Sequence, residues 1–128
     1  MKEFENNAYF WQKVDSLYST GDFKLKHRKG DQHKRHPSLK YPCDFGEIRT
    51  FNDEGECSME VYRKGNGRVD ALILCADILT KRFEVKGIVG LDDDEILEVL
   101  TFLNKTDFQK GVLIKRGKDT PAWAISDN

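Results

Sequence analysis

Short alternating stretches separated by turn residues dominate the middle of this chain and constrain its fold more than any other feature. Residues 23–27 alternate apolar and polar side chains, as a half-buried strand does. Glycine, asparagine and aspartate at 52–55, and Lys-Gly-Asn-Gly at 64–67, are typical of turns between strands. Together these signals predict four further strands, at 41–51, 58–63, 69–79 and 82–89.

Two amphipathic helices flank these stretches. Over 7–19 the apolar residues recur at helical spacing, with Asn7 as a suitable N-cap and Gly21 as a stop. The second helix begins at Asp92, where Glu95 completes a capping box, and capping explains this acidic run better than a metal cluster does. The residues expected to face the sheet are Phe10, Trp11, Val14, Leu17 and Tyr18 in the first helix, and Ile96, Val99, Leu100 and Leu103 in the second.

These elements predict a mainly β, α+β fold. We expect a small OB-type barrel of five or six antiparallel strands, with an N-terminal helix and a helix near the C-terminus. A last strand is expected over 111–115, and the apolar stretch within 69–79 is expected to be central and covered on both faces. At 128 residues the chain is most simply one domain, which we assign to 1–116, followed by a loose tail over 117–128.

The cysteines and the N-terminus bear on the compartment. Cys43, Cys57 and Cys75 lie in strand-like stretches without CxxC spacing, so we expect reduced thiols buried as small apolar residues. The N-terminal residues carry no apolar signal segment, and no apolar run approaches the roughly 20 residues of a membrane span. The sequence therefore predicts a soluble cytoplasmic domain that does not enter a membrane.

Positive charge is concentrated in one segment, although 21 basic residues nearly balance 22 acidic ones overall. Residues 24–40 carry seven Lys or Arg, all three histidines and a single acid, Asp31. Residues 44–60 carry six acids and only Arg49 as a base. Since Lys and Arg neutralise phosphate and carboxylates hold metal ions, this order predicts a phosphate site near metals. The alternative is a solvated charged loop.

Other site classes are disfavoured. His27, His33 and His36 lie among lysines, where each neighbouring cation opposes a bound zinc ion, and neither a CxxC pair nor an HExxH helix is present. The chain has no Gly-x-Ser-x-Gly elbow, P-loop or dinucleotide fingerprint, which argues against serine hydrolases, NTPases and Rossmann enzymes. Cys75 lies in the most apolar stretch and is expected in the core rather than as a nucleophile.

Several motifs follow one another in a recognisable order. Lys-Gly-x-x-x-Lys at 29–34 precedes Tyr-Pro-Cys-Asp-Phe-Gly-Glu-Ile at 41–48, and Phe-Glu-Val-Lys at 83–86 and Asp-Phe-Gln-Lys-Gly at 107–111 come later. Over roughly 22–116 the chain resembles the soluble inorganic pyrophosphatases, and is most similar to a shorter variety of that family. The resemblance implies a five-stranded OB-type barrel, a requirement for Mg²⁺, and hydrolysis of pyrophosphate to phosphate.

Functional residues follow from the resemblance by position. The implied phosphate-binding side chains are Lys29, Lys34 and Lys86, and Arg35 is the nearest candidate for the phosphate-binding arginine of the family. Glu60 is the implied catalytic carboxylate, and Glu60 and Glu84 are implied ligands of Mg²⁺. Glu56 joins these ligands if the turn before it carries one residue more than in the family. Divalent ions would neutralise the substrate and lower the pKa of a bound water, while cationic side chains hold the leaving phosphate.

The chain also departs from the family pattern. The acidic signature Asp-x-Asp-Pro-x-Asp falls in strict register on Gly55, Cys57 and Glu60, so only the last position is acidic. Lys26 stands where the family has a glutamate, and Phe45 where it has a tyrosine. Because misplacing a reacting group by about 1 Å can cost about 100-fold in rate, these changes predict reduced or lost hydrolysis.

A non-catalytic alternative uses the same barrel. The protein would bind a phosphorylated small molecule or single-stranded nucleic acid through the basic segment, with rings for stacking. The rings considered are Tyr41, Phe45, Phe51 and Tyr62. We expect pyrophosphate or another phosphorylated small molecule before nucleic acid, and the sequence leaves self-association open.

Overall fold

The structure is a computed structural model that describes residues 6–117. Two helices and six strands confirm the mainly β class with one helix near each end. The elements are α1 (Ala8–Ser19), β1 (Asp22–His27), β2 (Asp44–Asn52), β3 (Gly55–Arg63), β4 (Val69–Asp77), β5 (Arg82–Val89), α2 (Asp93–Asn104) and β6 (Gln109–Lys115). The tail predicted over 117–128 lies outside the described residues apart from Gly117.

The six strands form one sheet in the order β1-β2-β3-β5-β4-β6. Neighbours are antiparallel except β3 and β5, which pair in parallel from Glu60 opposite Lys86 to Arg63 opposite Val89. An entirely antiparallel sheet was expected, and the difference arises because β5 turns back from β4 into the space beside β3. The strands β1 and β6 are the two edges of this sheet, and no pairing joins them within residues 6–117, so closure into a barrel is not seen.

Each face of the sheet carries one helix. Successive side chains of a strand point to opposite faces, so the strands contribute residues to the core beneath each helix. On one face α1 packs through Trp11, Val14 and Tyr18, as the helical spacing predicts. On the other face α2 packs through Ile96, Val99 and Leu103. The sheet residues that complete the two cores include Ile48, Val61 and Leu72 beneath α1, and Tyr62, Ile73 and Ile88 beneath α2.

The face beneath α1 is less completely covered than the sequence predicts. Phe10 and Leu17 remain 46% and 63% exposed, so the apolar stripe of α1 is wider than the surface that it buries. In β4, Ala71 to Ile73 are buried on both faces, but Leu74 is 39% exposed. The expectation of a strand covered on both faces therefore holds only for the first half of β4.

Local signals at the helix ends and the first hairpin are confirmed. The Asn7 side chain caps α1, and Asp92 with Glu95 forms the predicted capping box of α2. In the hairpin between β2 and β3, Asn52 pairs with Gly55, whose φ of +120° is a conformation that favours glycine.

The three cysteines differ in exposure. Cys43 and Cys75 are buried as predicted, whereas Cys57 is exposed and that prediction is wrong. The reason is that the first four residues of β3 are all exposed. No helix in the described part of the chain is long and apolar enough to cross a membrane.

Candidate functional site

A row of charged side chains crosses three neighbouring strands. Glu47 of β2 lies opposite Glu60 of β3, which in turn lies opposite Lys86 of β5. Glu84 follows two residues away on the same side of β5, so the row lies on the face that carries α2. Glu47, Glu60 and Glu84 border a cleft of about 590 Å³, which we call the sheet cleft and which Lys26 and Arg82 also line.

Lys86 joins two of these carboxylates. Its side chain is only 5% exposed, and its ammonium donates hydrogen bonds to Glu60 and, at 3.1 Å, to Oε2 of Glu84. Burial alone would lower the pKa of Lys86, but the two carboxylates raise it overall. For Glu84, burial alone would raise the pKa, but the Lys86 ammonium lowers it overall. The result is a charged lysine whose ammonium lies between the side chains of two glutamates.

Glu47 is the member of this row that sequence reasoning missed. It is 8% exposed and forms ion pairs with Arg49 and, at 3.1 Å, with Lys26. Hydrogen bonds from Arg49 and then Lys26 lower the pKa of the Glu47 carboxyl. The sequence does contain a signal that Glu47 is buried. Side chains alternate along β2, which places Glu47 on the same face as the buried Phe45.

The remaining charges in and beside the cleft are paired as well. Arg82 lies 2.9 Å from Glu84, and Arg49 lies 3.3 Å from Glu56. Four glutamates and four basic residues therefore compensate one another here: Glu47, Glu56, Glu60 and Glu84 with Lys26, Arg49, Arg82 and Lys86.

The carboxylates in this arrangement do not fit the Mg²⁺ ions that the resemblance implies. Mg²⁺ takes six oxygen ligands in near-octahedral geometry at about 2.1 Å. Glu60 and Glu84 instead share a cation that the chain itself supplies, and Glu56 is turned to Arg49. Within residues 6–117 there is no group of three or more His, Cys, Asp or Glu side chains placed to hold a metal ion.

The basic segment between β1 and β2 forms a compact loop over 28–40, which we call the basic loop. Backbone hydrogen bonds join its two halves, including Gly30 N–H to the Tyr41 carbonyl at 2.8 Å and His33 N–H to the Leu39 carbonyl at 2.9 Å. Leu39 is buried and anchors the loop, and Gln32 bridges to Lys40. The loop is therefore folded on itself and holds its charged side chains outward.

The cations of the basic loop differ from those of the sheet cleft. Its five Lys and Arg residues are exposed, and none forms a side-chain ion pair with any carboxylate that the structure describes. They are Arg28, Lys29, Lys34, Arg35 and Lys40. The basic loop thus carries five cations without ion pairs within residues 6–117, whereas the cations of the sheet cleft are paired with carboxylates.

The histidines connect the basic loop to aromatic rings. His27 stacks on Tyr41 with ring centroids 4.4 Å apart, and His36 stacks on Phe108 at 5.5 Å. Nδ1 of His33 accepts the backbone N–H groups of Arg35 and His36 at 3.1 and 3.3 Å. An accepting Nδ1 places the proton of the neutral ring on Nε2. Burial lowers the pKa of His33, as do the nearby His36, His27 and Arg35, so the ring is neutral near pH 7.

A second cavity opens where the basic loop meets the end of α2. It has a volume of about 210 Å³ and shares no lining residue with the sheet cleft. We call it the imidazole cavity. His33, Arg35 and His36 line it from the loop, and Phe102, Thr106 and Phe108 line it from the end of α2 and the turn that follows.

The structure brings only part of the predicted site together. Glu60, Glu84 and Lys86 meet in one cluster. Arg35 lines the separate imidazole cavity, while Lys29 and Lys34 are exposed on the basic loop and line neither cavity. The predicted phosphate ligands are therefore divided between two places.

Comparisons with known proteins add no assignment. No family model matches the chain, and no match is found among curated proteins or among solved structures.

Proposed function

We propose that this protein binds a phosphate-bearing small molecule through the basic loop and hydrolyses pyrophosphate weakly or not at all. The observation that supports this proposal is the division of charge. The basic loop presents five cations without described carboxylate partners, whereas each of the four cations in and beside the sheet cleft has one. Guanidinium and ammonium groups form strong, charge-assisted hydrogen bonds to phosphate, and uncompensated ones are available for it.

Of the two properties that the resemblance to pyrophosphatases implies, we propose phosphate binding but not efficient hydrolysis of pyrophosphate. Cleavage of pyrophosphate by the metal route needs divalent ions that generate a nucleophile and stabilise the leaving phosphate. Glu60 and Glu84 already hold the ammonium of Lys86, and Phe45 packs its ring against Tyr62 and has no hydroxyl to offer a substrate. We therefore expect binding that does not require Mg²⁺.

A small ligand is favoured over single-stranded nucleic acid. Nucleic-acid binding of this type uses exposed rings on which bases stack. Three of the four rings considered for stacking, Tyr41, Phe45 and Tyr62, are at most 8% exposed and belong to the core beneath α2. Phe51, the fourth, is exposed near the hairpin that joins β2 and β3, outside both cavities.

Calorimetry with pyrophosphate, with and without Mg²⁺, tests the binding part of the proposal. We expect binding in both conditions, and at least 10-fold weaker binding after the double substitution Lys34→Ala with Arg35→Ala. The control is Lys13→Ala with Arg68→Ala, which removes the same charge from exposed positions outside the basic loop. Equal weakening by both pairs would show a general charge effect and contradict a site on the loop.

A phosphate-release assay tests the hydrolysis part. With pyrophosphate and Mg²⁺ or Mn²⁺, we expect the unaltered protein to be no faster than the double variant Glu60→Ala with Glu84→Ala. Metal-dependent turnover that this double variant abolishes would show that the sheet cleft is a working catalytic centre, and the proposal would be wrong.

A further inference from the structure

We infer that the imidazole cavity is the phosphate site of the basic loop and that its ligand is a small phosphomonoester whose organic group packs on Phe102 and Phe108. This inference rests on the proposed function and deepens it, because it names the cavity and the class of ligand. The cavity combines cationic and hydrogen-bonding groups on one side with aromatic rings on the other.

The loop side of the cavity supplies donors for an anion. Arg35 has no described carboxylate partner, so its guanidinium can form a bidentate contact with phosphate oxygens. Nδ1 of His33 is occupied by two backbone N–H groups, which leaves the Nε2–H as a donor. Thr80 and Thr106 add hydroxyl groups to the lining from two other elements. Residues with donor groups from three separate segments of the chain thus line one cavity.

One carboxylate also lines the cavity, and its contacts explain how an anion is tolerated. Oδ1 of Asp77 accepts the backbone N–H groups of Leu79 and Thr80 at 2.9 and 3.0 Å. These bonds hold the carboxylate in the turn between β4 and β5 and satisfy part of its charge. We therefore expect the phosphate to lie toward Arg35 and His33, away from Asp77.

The other side of the cavity suits an apolar group of limited size. Phe102 and Phe108 present apolar surface there, Leu39 adds to it from the loop, and the ring of His36 is already stacked on that of Phe108. Sites for drug-sized ligands have volumes of about 300–1,000 Å³. At about 210 Å³ the cavity matches a phosphate that carries one small ring or a short chain. Pyrophosphate lacks an organic group and would leave the aromatic surface without a partner.

Calorimetry with three probes tests the inference: inorganic phosphate, pyrophosphate and phenyl phosphate. We expect phenyl phosphate to bind at least 10-fold more tightly than inorganic phosphate. Phe108→Ala should remove most of this difference without weakening the binding of inorganic phosphate, whereas Arg35→Ala should weaken both by similar factors. Phe83→Ala is the matched control, because Phe83 is 82% exposed and lies outside the imidazole cavity.

Nuclear magnetic resonance provides a second measurement that does not depend on Phe108→Ala folding well. Phenyl phosphate should shift the ring-proton signals of His33 and His36 in the unaltered protein more than those of His27, which lies outside the cavity lining.

The outcomes separate this inference from the proposed function. If pyrophosphate binds, but phenyl phosphate has no advantage over inorganic phosphate and the signals of His33 and His36 do not shift, the inference is overturned and the proposed function stands. If none of the three probes binds, both are overturned. An unchanged phenyl phosphate affinity in a folded Phe108→Ala protein would also overturn the inference.

Discussion

Lys86 determines what the sheet cleft can do. A lysine on a strand beside two glutamates was predicted to contact phosphate, yet its ammonium lies between Glu60 and Glu84 and is almost fully buried. The contact with Glu60 depends on the parallel pairing of β3 with β5. That pairing joins residues that are far apart in sequence, so no local pattern could have revealed it.

Replacing this lysine tests its structural role. Lys86→Met keeps an unbranched side chain but leaves two neighbouring carboxylates without their shared cation. Loss of one partner of a fully buried pair costs about 3–5 kcal/mol, and we expect about 1–3 kcal/mol at pH 7 because the side chain of Glu60 is 34% exposed. The loss should shrink at pH 3, because Lys86 lowers the pKa of Glu84 in the unaltered protein and this contribution is lost as the pH falls. Urea unfolding at both pH values measures the difference.

Lys115→Met is the matched control for that substitution. Lys115 pairs with Asp93 at 2.9 Å, but both side chains are largely exposed, so we expect a loss below about 0.5 kcal/mol. If Lys86→Met were no more destabilising than Lys115→Met, the cluster around Lys86 would not contribute to stability as described.

At the scale of elements, the contact between β1 and β2 depends on a glycine. A Cβ atom at Gly46 would lie 2.2 Å from the Lys24 carbonyl oxygen and 2.6 Å from the Phe23 ring. A glycine inside a strand is typical of such a close approach of two backbones. The irregularity of register lies across from Gly46 in β1, between Leu25 and His27.

Gly46→Ala should therefore destabilise the protein. Because the closest atom belongs to the backbone, a Cβ atom forces β1 away from β2, and we expect a loss near the upper end of the about 1–3 kcal/mol typical of overpacking. The control is Gly67→Ala, where nothing lies within 4 Å of the added atom and the backbone is not left-handed. That variant should be unchanged or slightly more stable. Equal melting temperatures for the two variants would contradict the close approach.

The elements that the sequence predicted well are those with local signals. The bounds of β5 agree with the predicted 82–89, and the capping box of α2 is formed by the predicted residues, because alternation and capping involve neighbours within a few positions. The exposed fraction of each apolar side chain was harder to predict. Leu17 has helical spacing with the buried Trp11 and Val14, but it lies outside the contact between α1 and the sheet and is exposed. A periodic pattern shows which side of a helix is apolar, not how far its partner extends.

At the scale of the whole molecule, the sheet cleft and the basic loop differ in how their charges are paired. The sheet cleft pairs its carboxylates with basic side chains on neighbouring strands, while the basic loop carries cations without described partners. The sequence shows that basic residues are concentrated in 24–40. It does not show which of them pair with carboxylates of the sheet cleft and which lie outside it. Lys26 of β1 contacts Glu47 inside the cleft, whereas Arg35 lies outside it, because the strand ends at His27.

This arrangement makes the stability of the whole protein depend on pH in a defined direction. The folded-state pKa values of Glu47 and Glu84 are lowered, so folding releases protons from these groups. Their contribution to stability is present above the unfolded pKa of about 4.3 and is lost as the pH falls through the lower folded values. We expect the free energy of unfolding to decrease steeply below about pH 4.5.

Glu47→Gln assigns part of this dependence to one carboxyl group. The variant should be less stable than the unaltered protein at pH 7, because Arg49 and Lys26 lose their charged partner, and the difference should shrink by more than half at pH 3. Glu54→Gln is the control, since Glu54 is exposed in the hairpin turn and forms no ion pair within residues 6–117. Urea unfolding at both pH values measures each difference. A loss for Glu47→Gln that is as large at pH 3 as at pH 7 would show that packing, not the ion pairs, explains the contribution of Glu47.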